Sequence, residues 1–159
     1  MSPVTYRLAT PEEELVFFRR LFDVARRPEF ALAGLQGEEL DGLLDSQYNA
    51  RTVHYKGTYP TAEYRLVLFE GELVGGMIVE DRETDLHLID ITILEEWRNR
   101  GVGSRVMKDL IDEARGSNRG VLLFVEQFNP AQRLYERLGF VDIELIGIYR
   151  QMRWSAASS

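Results

Sequence analysis

One stretch, Leu86 to Val125, constrains the fold of this chain more than any other. Leu86–Leu94 has the character of a strand. Gly101–Arg115 is an amphipathic helix whose Val102, Val106, Met107, Leu110, Ile111 and Ala114 share a face, and Gly116 stops it. Val121-Leu-Leu-Phe-Val125 is an unbroken apolar run, as expected of a strand covered on both faces. Strand, helix and strand in this order make the two strands parallel. The strands just before obey another rule. Tyr64–Phe69 and Glu72–Glu80 flank a tight Glu70-Gly71 turn, and the polar turn 81–85 leads into Leu86. Three strands so spaced form an antiparallel meander. The expected fold class is therefore α/β in the mixed-sheet sense: a mostly antiparallel sheet with one parallel pair, flanked by helices.

The remaining segments extend this frame. Val4–Leu8 is a short first strand. Thr10-Pro-Glu-Glu13 opens a helix, with Thr10 as cap, Pro11 at the first position and Glu13 completing a capping box. Leu15, Phe18, Leu21, Phe22 and Ala25 follow at helical spacing, and Pro28 is expected to end that helix. A second helix is expected from Glu38 to Tyr55, with Leu40, Leu43, Leu44, Gln47, Tyr48 and Arg51 on one face. Asn129 and Pro130 start a short helix that Gly139 terminates, with Ala131, Leu134, Tyr135 and Leu138 on one face. Val141–Leu145 and Ile148–Trp154 read as a closing hairpin around Gly147. Residues 1–154 thus make one expected domain, with 155–159 as a disordered tail.

Composition excludes several functions. The 159 residues contain no cysteine and only two histidines, so a thiolate nucleophile is excluded and a metal centre is not expected. The net charge of −7 argues against nucleic acid or an anionic membrane as a general partner. No apolar run approaches a membrane span, and the start lacks a signal-peptide core, which makes cytoplasm the expected location.

Against that acidic background one segment stands out. From Trp97 to Lys108 there are four basic residues, Arg98, Arg100, Arg105 and Lys108, and no acidic one. They surround Gly101 and Gly103 at the start of the amphipathic helix. The first helical turn leaves N–H groups without intrahelical partners and adds partial positive charge. A glycine-rich helix start of this kind accepts phosphate. A solvated basic turn, bent by its glycines, is the plain alternative. Two phosphate-binding patterns fit poorly. The Gly-x-x-x-x-Gly-Lys-Ser/Thr loop is absent. A dinucleotide fingerprint lacks its third glycine, because Val106 stands there, although Glu126 lies where such a fold keeps a ribose-binding acid. A nucleotide or dinucleotide binder therefore stays as an alternative.

Arg98-Asn-Arg-Gly101-Val-Gly103 matches the Arg/Gln-x-x-Gly-x-Gly/Ala pattern of the GNAT family of N-acetyltransferases, and Asn129-Pro-Ala-Gln-Arg-Leu-Tyr135-Glu-Arg-Leu-Gly139-Phe140 resembles that family's second signature. The layout of elements is also similar. The resemblance implies the GNAT acyl-coenzyme A N-acyltransferase fold and direct transfer of an acetyl group from acetyl-coenzyme A to an amine on a small molecule or a protein. It implies no metal. By position, the backbone N–H groups of Arg98, Asn99, Arg100, Gly101, Val102, Gly103 and Ser104 would hold the pyrophosphate. Ile91, Thr92 and Ile93 would offer backbone groups to the pantetheine arm, while strand 121–125 splays away. Asn129 is expected to contact the cofactor arm or to act as a helix cap. Tyr135 matches the tyrosine that protonates the leaving thiolate, or else is a core aromatic.

For the base, His87 and Asp90 lie on the strand before the loop, and alternation places them on opposite faces. Glu126 is a third candidate. Tyr48, His54, Tyr55, Tyr59 and Tyr149 could line an acceptor pocket, where aromatic rings in an acidic chain would suit a cationic amine. A homodimer through hairpin 141–154 is a further expectation from the resemblance. A non-catalytic coenzyme A-binding or regulatory domain with the same fold is the alternative function.

Overall fold

The computed structural model describes residues 2–156. In chain order the elements are β1 (Val4–Leu8), α1 (Pro11–Leu32), α2 (Gly37–Thr58), β2 (Glu63–Phe69), β3 (Glu72–Asp81), β4 (Asp85–Ile93), a single 3-10 turn (Glu95–Trp97), α3 (Val102–Gly116), β5 (Gly120–Glu126), α4 (Ala131–Arg137), β6 (Val141–Ile146) and β7 (Tyr149–Trp154). The strands form one sheet in the order β1-β2-β3-β4-β5-β7-β6. Every neighbouring pair is antiparallel except β4 and β5, which run parallel. The mixed sheet expected from the sequence is the one observed.

Helices cover both faces. On one, α1 and α2 bury Phe18, Leu21, Leu44 and Tyr48 against Leu66 and Ile78. On the other, the apolar stripe of α3 packs on Val79, Leu86, Leu88 and Val121. Close approach of α1 to the sheet depends on Gly76, since a Cβ there would lie 2.8 Å from the Phe18 ring. The tail expected at 155–159 falls outside the described residues from 157 onward, while Ala156 packs against the core.

Three expectations need correction. Pro28 does not end α1, which runs on to Leu32. A proline forfeits one helical hydrogen bond and crowds the preceding turn. Here Arg27 joins Asp41 of α2 at 2.8 Å and Phe30 packs on the α1–α2 core, so tertiary contacts outweigh that cost. The stop is Gly34, at φ +90°, where the Leu35 N–H donates to the Phe30 carbonyl and the Gly34 N–H to that of Ala31. α2 is longer than expected, running from Gly37 to Thr58, and Gln47 is exposed on it. Finally, His87 and Asp90 do not occupy opposite faces. The β3–β4 register pairs Val79 with Leu88 and Ile78 with Asp90, so Ile89 faces no partner. This bulge shifts the alternation by one residue. His87 stacks on Tyr59, just past α2, and Asp90 faces Arg51 of α2.

Candidate active site

β4 and β5 are paired only from Asp85–Leu88 against Gly120–Leu123. Beyond Leu88 the strands part and open a cleft of about 370 Å³. Its walls include Asp90 and Thr92 from β4, Phe124 and Glu126 from β5, and Asn129 and Tyr135 from the start of α4 and its interior. α1, α2 and β7 close the far side with Phe22, Arg26, Arg51, Tyr55 and Tyr149.

The open edge of β4 carries backbone groups as well as side chains. Thr92 pairs with Gly76, and the Leu94 N–H donates to the Val74 carbonyl at 2.8 Å, so the ladder turns the backbone of Thr92 and Leu94 toward β3. Alternation then directs the N–H and C=O groups of Ile91 and Ile93 to the open side. The Ile93 carbonyl accepts from Arg98 Nε at 3.1 Å, which ties the end of β4 to the loop that follows.

That loop is built from backbone. Asn99 and Gly101 both adopt positive φ, +61° and +80°. The turn they make directs the chain into α3, whose first intrahelical bond runs from the Arg105 N–H to the Gly101 carbonyl at 3.0 Å. The Arg98 N–H is occupied, donating to the Glu95 carbonyl at 3.1 Å, so the expected set of seven loses one member. Among the described residues, the N–H groups from Asn99 to Ser104 have no protein acceptor. Six adjacent unsatisfied donors at a helix start form an anion site. The side chains are secondary here: Arg98 is tied to β4, Arg100 stacks on Trp97 at 5.0 Å, and Arg105 pairs with Asp109 at 3.0 Å. Gly103 leaves room, since a Cβ there would meet only Ile93, at 4.0 Å.

The titratable groups of the cleft are perturbed by their surroundings. Burial pushes the Tyr135 hydroxyl up to about 12, and the nearby Asp90 charge adds to the shift. Tyr135 is 8% exposed, and burial and the Asp90 charge, with no hydrogen bond, account for its shift. Burial also raises the Asp90 carboxyl, against the opposing pull of Arg51 and Arg26. Arg51 lies 3.5 Å from Asp90, whose side chain is 29% exposed, into the cleft.

Not every expected site residue gathers here. His87 is 2% exposed, enclosed by Tyr59 and Phe124, 3.4 Å from Glu80 and outside the cleft lining. Burial lowers its pKa, against the opposing pull of Glu80. Asn129 acts as a cap, its Oδ1 accepting from the Ala131 N–H at 2.9 Å, and it also lines the cleft. Tyr48 is turned inward, with its hydroxyl donating to the Glu14 carbonyl at 2.6 Å. Sequence reasoning missed Arg26, Phe22 and the placement of Arg51. The available signal was Arg51 itself, a cation on the apolar face of α2.

Comparison with known proteins places this geometry. The profile of the Acetyltransferase (GNAT) family matches residues 20–140. No curated protein matches by sequence. Among solved structures, the PaiA N-acetyltransferase of Thermoplasma acidophilum in complex with coenzyme A is 14% identical, with a TM-score of 0.69 over 98% of this chain and 99% of that one. A GNAT acetyltransferase from Elizabethkingia anophelis with acetyl-CoA bound is 16% identical, with a TM-score of 0.63 over 98% and 99%. A chimera of the spermidine N-acetyltransferase SpeG from Vibrio cholerae is 20% identical, with a TM-score of 0.64 over 97% and 96%. Among the described residues no helix is long and apolar enough to cross a membrane, and no cluster of side chains is suited to a metal ion.

Proposed function

This chain belongs to the GNAT acetyltransferase family, and from that premise we propose that it transfers an acetyl group from acetyl-coenzyme A to an amine. One observation carries the reading: six unbonded N–H groups adjoin the place where a parallel strand pair opens. When bound, acetyl-coenzyme A supplies a thioester with a good leaving group. The donors from Asn99 to Ser104 bind its diphosphate. The open-side amides of Ile91 and Ile93 hold the extended arm in the manner of an added strand. The Ile91 N–H also polarises the thioester carbonyl.

In the transfer the amine nitrogen forms a bond to the acyl carbon and the carbon–sulfur bond breaks. Asp90 accepts the proton that the amine sheds, directly or through water. Its raised pKa makes it a stronger base than an ordinary carboxylate. The Tyr135 hydroxyl gives its proton to the departing sulfur. A tyrosine near 12 remains fully protonated at working pH, and its free hydroxyl faces the cleft. His87 packs behind Phe124, outside the cleft lining, and is given no part in the transfer. Glu126, at the cleft rim, is available to bind the acceptor.

An amine is the acceptor named for the spermidine N-acetyltransferase neighbour, and this chain is read as acting on an amine too. Self-association through the closing hairpin is part of the same proposal: all of β6 is exposed, including Val141, Ile143, Leu145 and Ile146.

The test is a melting shift with acetyl-coenzyme A followed by thiol release over an amine panel. A shift with turnover is expected. A shift without turnover would return the chain to a coenzyme A-binding regulatory role, and a shift with a dinucleotide alone would reassign the loop.

A further inference from the structure

The cleft continues, on the side away from the anion loop, into a groove of about 460 Å³ between α1, α2 and β7. Phe22, Arg26, Arg51, Tyr55 and Tyr149 line both, so the groove is the acceptor's path to Asp90. Its charge runs against the rest of the molecule. In a chain of net charge −7, the charged side chains lining this groove are Arg26 and Arg51, with no carboxylate among the described residues there. Both guanidiniums act electrostatically on Asp90 and on Tyr55, and both line the groove and the cleft.

Arg51 is held in a fixed pose. Its guanidinium lies 5.0 Å from the Phe22 ring, 5.5 Å from Tyr48 and 5.1 Å from Tyr55. Among the described residues its Nε is buried without a hydrogen-bond partner, and its Asp90 contact, at 3.5 Å, is long. Arg26 pairs with Glu29, a neighbouring residue of the cleft wall, at 3.3 Å, and both side chains are exposed. A guanidinium fork with unfilled donor capacity matches a planar oxyanion. A purely cationic acceptor would be repelled by both.

We infer that the acceptor is an amine that also carries an oxyanion, a carboxylate or a phosphate, bound by Arg26 and Arg51 while its amino group faces Asp90. This rests on the transferase reading above. A free α-amino acid fits the chemistry, since its ammonium and carboxylate are attached to one carbon and Arg51 and Asp90 stand 3.5 Å apart. Asp90 and Glu126 receive the ammonium end, and the arginines receive the anionic end.

The experiment measures thiol release by the full chain at saturating acetyl-coenzyme A with matched acceptor pairs: L-lysine against cadaverine, L-tyrosine against tyramine, and O-phosphoethanolamine against ethanolamine. In at least one pair the oxyanion-bearing member should have a kcat/KM at least 10-fold higher, and the pair that responds identifies carboxylate or phosphate. Arg26→Gln and Arg51→Lys should each remove most of that preference, read as the ratio of the two kcat/KM values, chiefly by raising the KM of the oxyanion-bearing member. Equal or better turnover of the member without the oxyanion in every pair, or a preference that survives both substitutions, overturns the inference and leaves the transferase reading standing. No turnover in any pair, with coenzyme A binding intact by calorimetry, overturns both.

Discussion

The anion loop and the acceptor groove are neighbours built on opposite principles. The loop recognises its ligand with main-chain N–H groups of six consecutive residues, from Asn99 to Ser104. Its charged side chains are tied up elsewhere or stacked at the surface. The groove recognises with side chains, and those come from α1, α2 and β7, which are distant in sequence. A backbone site is specified by conformation, so it tolerates side-chain change but not a group that blocks the donors. A side-chain site is specified by packing, so single substitutions change its chemistry while the fold persists. A common carrier and a variable acceptor need these two kinds of site.

That contrast can be broken by measurement. The largest effect is expected at the loop from Gly103→Glu. The site has room for the side chain, so the melting temperature should hold within a few degrees. A carboxylate among the donors should weaken acetyl-coenzyme A at least 100-fold, or about 2.7 kcal/mol. Unchanged affinity in calorimetry would mean that the N–H groups are not the binding device.

Next comes Tyr135→Phe, which removes one oxygen and should lower kcat about 100-fold, in the range of general acid catalysis, with the KM for acetyl-coenzyme A within twofold. A proportionate loss of binding would move Tyr135 from the chemistry to the core.

The pH profile sharpens the same point. Activity requires Asp90 ionised and Tyr135 protonated. Because the Asp90 carboxyl is raised, activity should climb with pH through a value above the usual carboxylate range, and Asp90→Asn should abolish that limb. Because Tyr135 is pushed to about 12, no falling limb should appear up to about pH 10.5, after correction for acceptor ionisation. A decline centred at pH 10 would show an unperturbed phenol.

The smallest effect is expected from Arg100→Ala. Arg100 stacks on Trp97, which itself lies 5.1 Å from Phe69, and is one exposed cation beside six amide donors. Acetyl-coenzyme A should bind only about threefold more weakly, and less so in high salt, as screening of exposed charges requires. A loss equal to that of Gly103→Glu would show that the loop works through side-chain charge after all.

The same contrast governs what could be foreseen from the residues alone. The loop was legible because its determinants are local: glycines, four cations without an acid, and an amphipathic helix starting at Val102. The parallel pair was legible because Val121–Val125 is apolar without interruption. The capping box was legible for the same local reason, and Thr10 and Glu13 exchange both bonds, at 3.2 and 2.9 Å. The groove was not legible, because no local pattern shows that Arg26 and Arg51, from separate helices, share a cavity. Aromatic rings in an acidic chain suggested a cationic acceptor, whereas the fold gathers cations there. Pro28 misled for a related reason: its local penalty is real, but contacts of Arg27 and Phe30 outweigh it.

The unpartnered Ile89 has a consequence for redesign. Removing that single residue would match β3 and β4 residue for residue and restore two-residue periodicity, with the carboxylate still on the α1–α2 side and the isoleucines after it still under α3. A shortened variant should therefore keep both its diphosphate cradle and its carboxylate facing Arg51, and lose chiefly the apolar contact that Ile89 makes with the α1–α2 core.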